Sequence, residues 1–305
     1  MGERVTPSAH KFSGVSLIVA TLGEHDLSPL LDSLEIQSCD KYECIVIDQS
    51  DEKKAASVVS RYRNIKYLHS TRRGNSFNRN IGIAHAQMPI VGFPDDDCFY
   101  SPDVIEKVLE ALHHRLDLAG ISGSWMNSLA GNVVMGGSKN KYANNFNSWT
   151  TITNLTIFLR TDMVKNVHGY DENFGLGSGF FEGGEETDFI IKILQDGGTI
   201  LFNPDIKIWH RQDNYLVSNL KKQLGYEESW GALFRKWSFS GKNRTTIFLT
   251  FLFMLFRSLM GALFWAFRGN FNYSQSYLMK NKARVTGWIK YGSLQRMNKK
   301  DKITL

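Results

Sequence analysis

The stretch Phe93-Pro94-Asp95-Asp96-Asp97-Cys98-Phe99 decides how the rest of the chain is read. Three successive carboxylates follow the apolar run from Pro89 to Phe93, so the chain leaves a predicted buried strand and at once carries up to three negative charges. Like charges this close repel and raise one another's pKa unless a hard cation or another positive group neutralises them. In an extended turn side chains alternate, which directs Asp95 and Asp97 one way and Asp96 the other. A D-x-D pair at the carboxyl end of a strand is placed to hold Mg2+ or Mn2+ against a diphosphate, because ligands of open α/β sheets sit beyond the carboxyl ends of the strands. By itself the triplet reads equally as a solvated acidic turn ahead of a helix from Pro102 to about Arg115.

Outward from that box, apolar runs alternate with helical patterns. Strands are predicted at Val15–Ala20, Glu43–Ile47, Ile65–His69, Pro89–Phe93 and Leu118–Ser122. Helices are predicted from Pro29 to about Ser38 (capped by Ser28), from about Glu52 to Tyr62, and from Arg73-Gly74 through Ala86. This alternation implies an α/β fold with a mostly parallel sheet covered by helices on both faces. The second half changes texture. Ser122 to Trp149 is rich in Gly, Asn and Ser and reads as loops or short antiparallel strands, and Thr150–Leu159 has a strand pattern. Gly175, Gly177, Gly179, Gly183 and Gly184 form a glycine-rich segment of the kind that closes over a ligand. A helix follows from Glu185 to about Gln195; Glu185 and Asp188 share a face and Glu186 points about 100° away, which lets it face a cleft. Carboxylates at a helix N-terminus also serve as ordinary caps. Strands Thr199–Phe202 and Ile206–Trp209 end in His210.

Composition narrows the class. The chain has 305 residues, 42% of them apolar or aromatic, enough for a large core with an appendage or for two domains. Cys39, Cys44 and Cys98 have no paired metal spacing and suit reduced thiols in a cytosolic setting, and Met1–Phe12 has no apolar signal core. The net charge of +6 is uneven: Lys242–Leu305 holds twelve Lys/Arg against one acid, +11, leaving −5 elsewhere. Such a tail suits an anionic lipid surface or nucleic acid.

Taken together, V-S-L-I-V-A-T at the first strand, I-V-I-D-Q-S-D ending the second, R-G-N-S-F-N-R-N-I-G-I-A, the F-P-D-D-D-C box, H-G-Y-D-E-N-F, G-G-E-E-T-D-F and I-W-H resemble the family 2 glycosyltransferases. These are inverting enzymes of GT-A fold, and the motifs occur in the family's order from about Val15 to His210. The resemblance implies that Thr21 and Asp48, with Glu24 as a weaker candidate, contact the nucleotide, and that Arg79 lies near the nucleotide or diphosphate. It implies that Asp97 ligates Mg2+ or Mn2+, with Asp95 nearer the ribose or sugar and able to share the metal, Asp96 beside the donor, and His210 as a further ligand. Glu186 takes the position of the family's Asp in the E-D pair, the expected catalytic base, with Glu185 as the other candidate. The implied reaction moves a sugar from a nucleotide-sugar, UDP favoured and dTDP or GDP open, to an acceptor hydroxyl with inversion. No Ser/His/Asp or Cys/His nucleophile is needed for it.

From Ile247 to Phe267 the chain is apolar apart from Thr250, Arg257, Ser258 and the small Gly261, and is long enough to span a bilayer. Thr250, Arg257, Gly261 and Arg268 fall on one narrow helical stripe. Both flanks are basic, with Lys236, Lys242 and Arg244 before and Arg268, Lys280, Lys282 and Arg284 after. The positive-inside tendency therefore wants both ends on the cytoplasmic side, which a single span cannot satisfy. The expectation is a helix lying in or re-entering the inner leaflet, with a true span and a core-packed helix as alternatives. Similar extensions in bacterial surface-polysaccharide enzymes of the family imply a saccharide or lipid-linked acceptor at the cytoplasmic face of the cell membrane, the protein being peripheral or monotopic, and no nucleic-acid partner. The expected layout is a polar N-terminal segment 1–12, a catalytic domain 13–213 and a helical extension 214–305. Two other classes stay in view: a nucleotidyltransferase, although Thr21–His25 has one Gly and no Lys or Arg, and a non-enzymatic membrane-binding protein.

Overall fold

The structure is a computed structural model that describes residues 14–144, 147, 152–210 and 220–301, with side chains through 296. The expected N-terminal segment and the expected boundary at 213 lie outside the described residues, as do Thr150 and Thr151 of the strand pattern. The central element is a 10-stranded sheet of order β3-β2-β1-β4-β9-β6-β10-β5, with β7 on β6 and β8 on β10. Its strands are β1 (Val15–Thr21), β2 (Tyr42–Asp48), β3 (Ile65–His69), β4 (Ile90–Gly92), β5 (Cys98–Tyr100), β6 (Gly120–Asn127), β7 (Val133–Met135), β8 (Lys141–Tyr142), β9 (Ile157–Arg160) and β10 (Ile200–His210). Helices α1 (Ser28–Glu35), α2 (Ala56–Val59), α3 (Asn75–His85), α4 (Val104–His114), α5 (Thr161–Asn166) and α6 (Glu185–Gln195) accompany it.

The α/β class holds, with the parallel pairing confined to β3-β2-β1-β4 and β6-β10. β9 enters between β4 and β6 antiparallel to both, and β5 runs antiparallel to β10, so the sheet is mixed. Val15–Val19, Cys44–Ile47 and Ile90–Val91 are fully buried, and their alternate residues feed two apolar clusters on opposite faces. That is why these runs read as continuous apolar stretches in the sequence.

Local departures have identifiable causes. Ser28 is already helical, and Asp26 Oδ1 accepts its N–H at 2.9 Å, so Asp26 closes the turn in place of a Ser28 cap. The helix expected from Glu52 shrinks to α2 because the Asp48 carboxylate holds residues 50–55 in turns through Ser50 and Ala55. The two strands expected around Asn203-Pro204 are one strand, β10, with its register shift between Phe202 and Lys207. Thr150–Leu159 supplies a 3-10 turn, Asn154–Thr156, and the first three of the four residues of β9.

After residue 219 the chain forms α7 (Leu220–Phe239), α8 (Arg244–Phe267) and α9 (Phe271–Asp301). α7 and α9 cross so closely that Gly231 lies against the carbonyl of Arg284 and Gly287 against that of Glu228; a Cβ at either point would strike backbone. The three helices share an apolar cluster with Phe174, Phe181 and Ile191, so the extension is packed onto the catalytic half. Phe234 and Trp237 are buried there. α8 turns Ile247, Phe251, Ser258 and Ala262 inward and leaves Phe248, Phe253, Phe256, Leu263, Phe264 and Phe267 exposed. The described basic flank is smaller than the sequence suggests, because Lys236 is largely covered and paired with Asp171 and Asp188, and Arg284 is buried against Glu227. Lys242, Arg244, Arg268 and Lys282 remain on the surface.

Candidate active site

Topology places the acidic box. The register pairs Cys98 of β5 with His210 at the end of β10, so the residue before Cys98 meets the histidine: Asp97 Oδ1 lies 2.9 Å from His210 Nε2. Asp97 is held below the usual carboxylate range, because hydrogen bonding and charge from His210 outweigh the opposing effect of burial. Asp96 does not face away from Asp97. It accepts a 2.6 Å hydrogen bond from the Thr21 hydroxyl at the end of β1 and lies 3.0 Å from His25 Nδ1. The ligating atoms of His25, Asp96 and Asp97 fall within 4.8 Å of one another. His25 was not among the expected site residues; its only signal is its place in the loop after β1. That contact with Asp96 raises its pKa.

Asp95 turns to the third side. Arg79 on α3 donates to Asp95 at 3.0 Å and to Glu185 on α6 at 3.2 Å, bridging the acidic box and the catalytic-helix candidate. The guanidinium is buried, and it sits over the Tyr170 ring. The helix that carries Glu185 starts at Gly184, whose φ of +82° is the left-handed conformation glycine tolerates best. Glu186 is held differently from Glu185: the Thr153 hydroxyl and the Asn154 N–H both donate to its Oε2, at 2.9 and 3.0 Å. Oε1 takes no hydrogen bond from a described residue. Burial, with the charge of Glu185 beside it, pushes Glu186 up to about 7 despite those two donors.

Of the expected residues, the structure therefore brings Thr21, Asp95, Asp96, Asp97, Arg79, Glu185, Glu186 and His210 into one connected cluster. Glu24 is exposed in the β1 loop beside His25. Asp48 is the residue whose surroundings differ most from expectation. Its carboxylate is filled by Ser50 N–H and hydroxyl, Ala55 N–H and Tyr67 hydroxyl, at 2.8, 2.6, 2.9 and 3.1 Å. Burial would raise it, but those bonds hold it below the usual range, while Tyr67 is pushed up to about 12. In this arrangement Asp48 organises the loop after β2.

The mixed sheet carries an acidic box at its strand ends, a buried arginine and, on the facing helix, a glutamate with a pKa pushed up to about 7, and the fold is of GT-A type. Comparison with known proteins gives the family. The profile of glycosyl transferase family 2 matches residues 16–164, from β1 to α5, so the chain carries a domain of that family and is a glycosyltransferase. It is 20% identical over 219 residues to the glucosyl-dolichyl phosphate glucuronosyltransferase of Haloferax volcanii, covering 66% of this chain and 70% of that one. Among solved structures it is similar to S. aureus TarS, with TM-score 0.60, 16% identity, 77% of this chain covered and 41% of that chain. It also resembles TarS 1–349 in complex with UDP-GlcNAc, with TM-score 0.58, 18% identity, and 77% and 69% covered. The chain thus spans under half of the longer TarS chain, and at these identities the likeness to TarS is one of fold.

Proposed function

We propose that the protein is an inverting, metal-dependent transferase that moves a sugar from a nucleotide-sugar to a hydroxyl of a lipid-linked saccharide at the cytoplasmic membrane face. The observation that carries this reading is Glu186: a carboxylate with one oxygen held by Thr153 and Asn154, the other without a described donor, and a pKa near neutrality. A general base works best with a pKa near the operating pH. Glu185, by contrast, is committed to Arg79. Glu186 takes the proton of the acceptor hydroxyl as that oxygen bonds to the anomeric carbon. The bond from that carbon to the donor's diphosphate breaks, and the nucleoside diphosphate leaves with the electron pair. One displacement inverts the centre.

The donor set of the acidic box suits a hard divalent cation: carboxylate oxygens with imidazole, and no available thiolate, since Cys98 is buried in the core. Asp97 and His210 would hold Mg2+ or Mn2+, with Asp95 beside them and Asp96 and His25 on the adjoining side. When bound, such an ion offsets the charge of the diphosphate. Arg79 keeps Asp95 and Glu185 apart and in place. UDP is the favoured nucleotide, supported by the UDP-GlcNAc complex of TarS, and the dolichyl-phosphate substrate in the Haloferax protein's name supports a lipid-linked acceptor.

For the layout, we take the described residues to 210 as the catalytic unit and α7–α9 as the extension. α8, 24 residues long with an apolar window of mean hydropathy 2.0 that is 22% buried, packs one face on α7 and α9. Its other face is free to lie in a leaflet as a monotopic element. Calorimetric titration with UDP, GDP and dTDP, with and without Mn2+, tests the donor half. Metal-dependent binding of UDP that disappears in Asp97→Ala is expected; no metal-dependent binding of any nucleotide would overturn the reading.

A further inference from the structure

A second cavity lies beyond the glycine-rich segment, between that segment, α7 and α9. Its volume is about 960 Å3, within the range of small-molecule sites. α9 contributes Met279, Lys282, Ala283, Thr286 and Lys290, spaced so that they fall along one helix face. α7 contributes Leu224 and Lys221, and the segment contributes Gly177, Gly179 and Phe180. Two acids, Glu182 and Glu228, also line it; Lys290 is matched by Glu228 at 2.9 Å and by the Phe180 carbonyl at 2.8 Å. Lys221 and Lys282 are exposed and make no ion pair with a described residue.

Lys282 and Thr286 also line a smaller hollow of about 440 Å3 whose other wall is Leu255, Phe256 and Leu259 of α8. The two cavities adjoin at Lys282 and Thr286 of α9: on one side lies the exposed apolar face of α8, at the shared edge an ammonium, and on the other side the glycine-rich segment. That segment touches the active site directly. Gly177 packs on Gly74 at the start of α3, and Gly175 lies against the Glu185 side chain. Apolar face, cation and catalytic helix thus follow one another along the groove that the two adjoining cavities make.

We infer that this groove binds the phosphate-bearing lipid of the acceptor, the apolar chain along α8, the phosphate at Lys282 with Lys221, and the saccharide directed past the glycine-rich segment toward Glu186. The inference rests on the sugar-transfer reading and adds the place where the acceptor's lipid phosphate is held. Phosphate and apolar chain are both required: the lysines alone would take any anion, and α8 alone any lipid surface.

The test uses the full chain with farnesyl phosphate as probe, followed by calorimetry, beside farnesol, inorganic phosphate and phosphatidylglycerol vesicles. Saturable binding of farnesyl phosphate is expected, at least tenfold tighter than farnesol or inorganic phosphate, with the probe competing with the vesicles for only part of the binding. Lys282→Glu, at an exposed helix position, should weaken it at least tenfold and Lys282→Arg should restore it. Thr286→Trp, which places a large ring at the edge both cavities share, should weaken it as well, and thermal melting confirms the fold of each variant. Equal binding of farnesol, equal binding of inorganic phosphate, binding seen only with vesicles, or an unaffected Lys282→Glu would each overturn the proposal. UDP with Mn2+ is titrated in parallel. Loss of nucleotide binding there sinks the transfer reading, whereas nucleotide binding without farnesyl phosphate binding sinks the groove alone.

Discussion

Two charge clusters hang from the same helix and behave oppositely. Each has a cation between two carboxylates: Arg79 between Asp95 and Glu185, and Lys236 between Asp171 and Asp188, where Lys192 adds a second cation 3.7 Å from Asp188. Glu185 and Asp188 are three residues apart on α6, so one turn of helix carries both. In the second cluster Asp188 is 0% exposed, Lys236 spans both its oxygens, and the Trp237 indole N–H donates to it at 2.8 Å. Every charge there is matched. In the first, the Asp95 side chain is 35% exposed and Asp97 30%, and Asp96 and Glu186 add further acid, against Arg79 and the imidazoles of His25 and His210. A surplus of negative charge open to solvent is a place for a cation and for an incoming proton; a closed cluster of two lysines and two carboxylates is a place where two parts of a molecule are fastened together. The comparison teaches that burial with complete pairing marks the structural cluster, and incomplete pairing marks the chemical one.

That contrast can be broken by substitution. Glu186→Gln should lower turnover by about 10^2–10^4 while metal-dependent UDP binding persists, because the acceptor's proton loses its destination and the donor site is untouched. Sugar-transfer kinetics beside calorimetry separate the two, and unchanged turnover would move the base to Glu185. Lys236→Met should cost about 3 kcal/mol of stability, the lower end for breaking a buried pair, since it removes the cation shared by Asp171 and Asp188 and leaves buried Asp188 with Lys192 at 3.7 Å and the Trp237 N–H. Urea denaturation reads it, and a loss below about 1 kcal/mol would mean that water reaches the cluster. Asp97→Ala and His210→Ala should each weaken Mn2+ affinity by more than the about 10–100-fold that follows from changing a group behind a metal's ligands, because each removes a group that would hold the ion. Neither should move the melting temperature as Lys236→Met does, because their charges lie in the open cluster.

Much of the cleft was legible because its residues sit at strand and helix ends, where periodicity breaks. Asp95–Asp97 follow an apolar run, Glu185-Glu186 open a helix, and His210 closes a strand, so each announces its own position. The exchange of partners was not legible. Which way Asp96 points depends on the Thr21 hydroxyl, 75 residues earlier, and the register of β5 on β10 that brings Asp97 to His210 is a long-range pairing. Asp48 ends a strand like the others, yet its four hydrogen-bond donors come from its own loop and β3. The extension hid most. Lys236 and Arg284 read as flanking surface charges, and their burial follows from the α7–α9 crossing, which requires Gly231 and Gly287 at points no helical pattern marks.

The smallest expected effect joins stability to chemistry at one residue. Glu186 has a folded-state pKa raised from 4.5 to about 7, so the folded protein keeps a proton there that the unfolded chain releases above about pH 4.5. A raised carboxyl pKa makes its contribution most favourable below pH 4.5; that contribution is lost as pH rises toward 7 and is level above it. Gln cannot ionise and still offers Thr153 and Asn154 an acceptor oxygen. Without added metal, Glu186→Gln should therefore match the native protein near pH 4.5 and gain on the order of 1–2 kcal/mol by pH 8, discounted from the full shift for partial exposure and coupling to Glu185. Native kcat/KM should rise over the same interval, as the base ionises. Melting curves and rates across pH 5–8 would place both transitions together. A rate that rises with no accompanying change in the stability difference would assign the titration to another group, with His25, held by Asp96, the next to test by His25→Asn.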